Sequence, residues 1–105
     1  PAEGMAEAYA ALAGAMRQQG AGDFSLVLAQ LALRMRPGFA PALVLMADTL
    51  ADEDHEEQAL EALDRIAGDD PLAPVVQLRR AVLLDKLDRL DDAATVLRRL
   101  SAAYP

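Results

Sequence analysis

The sequence has no cysteine, no tryptophan and a single histidine, and aromatic residues fill only 4% of its 105 positions. Without cysteine, neither a disulfide framework nor a thiolate metal site can form. The residues that favour strands (Tyr, Phe, Trp, Ile and Thr) are scarce, yet 53% of the chain is hydrophobic, mostly Ala and Leu with Val and Met behind. Those are mostly good helix formers, so the composition predicts an all-α protein. No apolar run approaches the roughly 18 to 20 residues of a spanning helix, which argues against membrane insertion, and no charged n-region precedes an apolar h-region as in a signal peptide. Basic residues are also few. Ten Lys and Arg against seventeen Asp and Glu leave a net charge of −7. Such a surface is a poor partner for nucleic acid or an anionic membrane, which both select clustered cations. The charges are interspersed, so no acidic tail is indicated.

What the chain does have is a period. Pro37, Pro71 and Pro105 are spaced by 34 residues. Ala13, Ala47 and Ala81 keep the same spacing, as do Met16, Leu50 and Leu84, and Ser25, Ala59 and Ala93. Ala29, Leu63 and Leu97 form another column, and Ala32, Ile66 and Leu100 a further one; Leu12 and Met46 begin a column that Arg80 breaks. A period of this length is the mark of stacked helical repeats, in which no single helix pair can bury its apolar face alone. The alanine columns let helix axes approach closely while larger neighbours fill the layer. The pattern predicts six helices near 5–19, 23–36, 40–52, 55–67, 73–87 and 90–103. Asp23 reads as an N-cap, Asp54 with Glu57 as a capping box, and Asp88 with Asp91 as a weaker one. Pro41 and Pro74 fall in first turns, where a missing N–H does little harm, and Gly68-Asp69-Asp70-Pro71 reads as a loop.

These columns, with a terminal proline and small residues at two helix contacts, resemble the tetratricopeptide repeat (TPR) family, whose unit is a 34-residue helix–turn–helix. The resemblance covers essentially the whole chain, as units 6–39, 40–73 and 74–105. The family's aromatic and glycine columns in the first helix are weak here, held by Tyr9, Leu43 and Gln77 and by Ala13, Ala47 and Ala81, and Gln77 with Arg80 makes the third unit the least typical. The resemblance implies a right-handed α-solenoid of about six antiparallel helices, one continuous domain whose first helices line a concave groove. Carried over by position, the groove is lined by Glu7, Ala10, Gly14, Arg17 and Gln18 in the first unit, Val44, Asp48, Ala51 and Asp52 in the second, and Val75, Leu78, Arg79, Val82, Asp85 and Lys86 in the third; the candidate peptide-binding residues among them are Arg17, Val44, Asp48, Leu78, Arg79 and Val82. The family's carboxylate clamp grips a chaperone tail with Lys, Asn and Arg. Arg79 stands at one clamp position, but Ala10, Gly14 and Val75 stand where the other donors are needed, so chaperone-tail binding is not expected. A mainly apolar groove suits an extended or helical apolar peptide. The implied function is a non-catalytic scaffold for an unknown protein or peptide. The segments Pro1–Ala8, Leu31–Pro37 and Leu87–Ala93 further resemble long bacterial multi-TPR proteins of alphaproteobacterial type, many of them exported. That implies a piece of a longer chain, in either the cytoplasm or the periplasm.

Catalysis finds little support. A reactive site needs a nucleophile with a base, a metal set or a phosphate-cradling loop. His55 stands alone, Ser25 and Ser101 are the only serines, and Lys86, the only lysine, has no glycine loop before it. The acids around His55 (Asp52, Glu53, Asp54, Glu56 and Glu57) complement a helix N-terminus and lack the spacing of a calcium loop. No metal, cofactor or enzyme activity is therefore expected. An adaptor or spacer role beside an enzyme is one alternative. Weak self-association through an uncapped last helix, with Leu90, Ala94, Leu97 and Leu100 on its face, is another.

Overall fold

The computed structural model describes residues 2–105. Pro1, the first residue of the N-terminal segment quoted above, lies outside them. Six helices follow in order: α1 (Ala2–Gln18), α2 (Gly22–Met35), α3 (Ala40–Asp52), α4 (Glu56–Asp64), α5 (Ala73–Lys86) and α6 (Leu90–Ala103). There is no strand among the described residues. Each helix packs against the next in sequence, and α1 also touches α3. The body measures 40 × 28 × 18 Å.

The 34-residue period recurs in the backbone. Between α1 and α2, α3 and α4, and α5 and α6, the chain reverses within three residues. In each turn the middle residue has a positive φ: Gly20 at 79°, Asp54 at 62° and Asp88 at 59°. The amides of Ala21, His55 and Arg89 then reach back to the carbonyls of Met16, Leu50 and Leu84 at 2.9, 2.9 and 2.8 Å. The amides of Gly20, Asp54 and Asp88 donate to Arg17, Ala51 and Asp85. This paired pattern is the Schellman motif, which satisfies carbonyls that a helix end leaves open. The carbonyls of Ala21, His55 and Arg89 in turn accept from Ser25, Ala59 and Ala93 and so start the second helix. The turn closes one helix and opens the next with the same three residues.

This geometry corrects the capping assignments. No helix N-terminus from α2 onward carries a side-chain cap bond, and Ala21, His55 and Arg89 hold the N-cap positions of α2, α4 and α6. Asp54 and Asp88 are the left-handed residues that end α3 and α5, and their short polar side chains tolerate that conformation. Asp23 sits inside the first turn of α2, where its charge favours the positive helix end. Helix α4 also stops at Asp64, earlier than expected. The amides of Arg65 and Ile66 bond three residues back, to Ala62 and Leu63, which tightens the last turn before the Gly68–Pro71 loop. That loop is held by the Leu72 amide, which donates to the Asp70 carboxylate at 2.9 Å.

Packing follows the same columns. Ala13, Ala47 and Ala81 are buried, as are Ser25, Ala59 and Ala93. The core runs from Ala6, Ala10 and Leu43 through Ala13, Leu28 and Ala29 to Leu63, Val76, Leu83 and Leu84. Its one polar pair is Ser25 with Thr49. The Thr49 hydroxyl donates to the Leu45 carbonyl at 2.7 Å and lies 3.4 Å from the Ser25 hydroxyl. Substitution of Asp54 tests the turn. Asp54→Val forces a β-branched side chain into the left-handed region and is expected to cost about 1–2 kcal/mol. Asp54→Gly is expected to melt at or above the wild-type temperature. Thermal melts followed by circular dichroism check both, and a Val variant as stable as wild type contradicts the turn.

Candidate functional site

One face of the molecule is shared by α1, α3 and α5, and two ion pairs cross it like rungs. Arg17, in the last turn of α1, donates from Nε to Asp52 Oδ2 at 2.7 Å and from Nη2 to Oδ1 at 3.0 Å. Arg79, midway along α5, donates from Nε to Asp48 Oδ1 at 2.8 Å and from Nη2 to Oδ2 at 3.1 Å. Asp48 and Asp52 lie four apart on α3 and therefore on one side of it, so α3 is gripped by a planar fork from each neighbour. Bidentate geometry of this kind orients helices more than it adds energy, because the groups remain partly in water.

Between α1 and α3 lies a shallow, open, mainly apolar depression of about 530 Å³. Ala10, Ala11 and Gly14 of α1 form one wall, and Pro41 and Leu45 of α3 with Phe39 before it form the other; Glu7 stands at the rim. Gly14 keeps the floor low. A Cβ built there would sit 3.6 Å from the Leu45 side chain, an ordinary contact, so a side chain would occupy the depression without displacing α3. The Arg36 guanidinium stacks over the Phe39 ring at 4.6 Å and holds that wall in place.

The six candidate peptide-binding residues expected from sequence divide into three groups. Arg17, Asp48 and Arg79 lie on this face but are engaged in the two rungs. Leu78 and Val82 are exposed along α5. Val44 is not available to a ligand: it is buried in the core with Val76, Leu83 and Leu84. The reason is its place on α3, where the following helix pair covers it. Ala11, Phe39, Pro41 and Leu45, which shape the depression, are not among the groove residues expected from sequence. Counting back one period from Arg79 gives Leu45, and from Leu45 gives Ala11, so that column carried the signal.

A second cavity of about 430 Å³ opens between α5, α6 and the loop before α5, beside Arg80 and Arg99. Arg80 is the residue that breaks the Leu12–Met46 column. Its Nη1 lies 3.4 Å from Asp64, and its buried Nε has no partner. Among the described residues, no three His, Cys, Asp or Glu side chains converge as a metal set. No helix there is long and apolar enough to cross a membrane.

The chain matches no protein-family model, and no curated protein matches it.

The first rung has a pH signature. The hydrogen bonds from Arg17 hold the Asp52 carboxyl below the ordinary carboxylate range; partial burial opposes this, and the charges of Arg17 and Lys86 add to it. Because the folded-state value is the lower one, the stabilisation is complete above the unfolded carboxylate range. It is lost as pH falls through the folded value. Asp52→Asn is therefore expected to lower stability at neutral pH by no more than about 1 kcal/mol, since both groups are partly exposed. In denaturant titrations the gap to wild type should close in acid and shrink in high salt. A gap that persists in acid contradicts the assignment.

Proposed function

We propose that this chain is a non-catalytic scaffold of TPR-like helix pairs, a right-handed solenoid that holds an apolar peptide segment against the face shared by α1, α3 and α5. The reading of three units at 6–39, 40–73 and 74–105 draws support from the turn that recurs at Gly20, Asp54 and Asp88. The observation that carries the binding role is the apolar depression between α1 and α3. Its walls are aliphatic apart from Phe39, and they offer shape and apolar area with few hydrogen-bonding groups. That suits insertion of one or two apolar side chains from an extended or helical segment. Chaperone tails fit poorly, because Arg79 is already paired with Asp48 and Ala10 is buried. Absence of catalysis is part of the same proposal. Ser25 is fully buried against Thr49 and cannot reach a substrate, and His55 is an exposed residue whose carbonyl begins α4.

The test uses Gly14→Asp. The residue one period on is Asp48, so this column accommodates an aspartate, and the change puts a charge on the floor of the depression. A displayed library of random peptides is selected on the wild-type chain, and the enriched sequences are measured on both proteins. The expected outcome is enrichment of peptides with paired apolar residues that lose about tenfold or more in affinity on Gly14→Asp, roughly 1.4 kcal/mol. Enriched peptides that bind both proteins equally, or no enrichment at all, would overturn the groove and favour a spacer role.

A further inference from the structure

Four columns change character together at one interior junction. Arg34, Phe39, Leu43 and Met46 stand where the second helix pair packs on the first; one period on, where the third packs on the second, stand Gly68, Ala73, Gln77 and Arg80. At the earlier junction Leu43 is fully buried, and Phe39, Met46 and Ile66 pack against its cluster. At the later one, two of the residues are smaller and two are polar. All four line the cavity of about 430 Å³ beside α5 and α6, and Leu100, one period after Ile66, lines it too. The space is therefore made by the side chains of an interior junction, at positions that hold core packing one period earlier.

The charge of this cavity is the opposite of the chain's. The chain carries a net charge of −7, yet the lining holds Arg80 and Arg99 and no acid. Among the described residues Arg99 makes no ion pair. Arg80 makes one, a single contact of 3.4 Å from Nη1 to Asp64, and its buried Nε has no acceptor. Arg17 and Arg79, in contrast, are each held by both oxygens of one aspartate. A buried donor without an acceptor is destabilising, and the Met46 side chain in the same column carries no such donor. Asp64 lines an adjoining recess of about 90 Å³ and not the cavity itself. Two guanidiniums and one carboxylate leave a single net positive charge beside an apolar wall of Ala73, Val96 and Leu100.

We propose that this cavity is a binding site for a small organic monocarboxylate with an apolar body. Arg80 and Arg99 hold the carboxylate, and Ala73, Val96 and Leu100 cover the body. The planar fork of arginine matches a carboxylate. One net positive charge suits a monoanion better than a phosphate dianion. The volume falls within the roughly 300–1,000 Å³ of small-molecule sites. None of the lining residues belongs to the expected peptide groove or to the clamp positions within it, so the inference is separate from the reading of the α1–α3 face.

The experiment is isothermal titration calorimetry on the full chain, with octanoate and 3-phenylpropanoate as probes. Octan-1-ol, which lacks the charge, and octylammonium, which reverses it, are the controls. Two variants restore the side chains of the earlier junction: Ala73→Phe fills the cavity, and Arg80→Met removes its half-buried cation. Arg99→Gln removes the other. Circular dichroism verifies the folds; Gly68→Leu replaces Ala73→Phe if that chain unfolds, since a Cβ at Gly68 meets nothing within 4 Å, and Arg80→Gln replaces Arg80→Met. Wild type is expected to bind at least one of the two carboxylates at a single site, at least tenfold more tightly than either control. The filled chain and the Arg80 variant are expected to lose at least tenfold in affinity, and Arg99→Gln severalfold. A wild type that binds neither carboxylate at millimolar concentration overturns the proposal. So does octan-1-ol binding as tightly as octanoate, or a filled chain or Arg80 variant that binds like wild type.

Discussion

The chain reverses direction within three residues after α1 because Gly20 takes a positive φ, and Asp54 and Asp88 take one after α3 and α5. That single backbone choice fixes several things at once. It lets the amides of Ala21, His55 and Arg89 satisfy carbonyls of the helix just ended, and it places their own carbonyls to begin the next helix. It also sets the phase in which Ser25, Ala59 and Ala93 of the second helices turn into the core, where Ala13, Ala47 and Ala81 of the first helices are buried as well. Small residues in both columns allow the close approach, so the alanine-rich composition and the turn are two parts of one constraint. A larger residue in either column would push the pair apart, and a misplaced turn would rotate the wrong side chains inward.

Much of this was legible in the sequence, because a 34-residue period constrains many positions together. The six helices fall within a few residues of where the columns place them. The misread caps are instructive. Asp before a helix ordinarily suggests an N-cap, and Asp54 and Asp88 were read so. Their partner in the same column is Gly20, the residue that most readily adopts a left-handed conformation, and that comparison identifies the role of all three. Val44 was misplaced for a different reason. Column 10–44–78 is buried or exposed according to whether a further helix pair follows, and only tertiary packing decides that. The rungs Arg17–Asp52 and Asp48–Arg79 were equally hidden, since sequence spacing does not report which residues of α1, α3 and α5 meet.

The same columns shape the candidate site. Within the chain, one face carries both an apolar depression and paired charges, because α3 has a neighbour on each side to meet Asp48 and Asp52. Val82 of α5 occupies the column in which α3 carries Asp48, and it is exposed along α5 with Leu78.

The architecture depends on the three like turns, and they can be observed directly. Scalar couplings across hydrogen bonds, measured on isotopically labelled chain in solution, report whether a given amide is bonded to a given carbonyl. Couplings are expected from Ala21 to Met16, from His55 to Leu50 and from Arg89 to Leu84, with positive φ at Gly20, Asp54 and Asp88 from the accompanying three-bond couplings. If His55 or Arg89 instead lacks its bond and Asp54 or Asp88 shows a negative φ, the repeated turn does not exist and the architecture built on it is wrong.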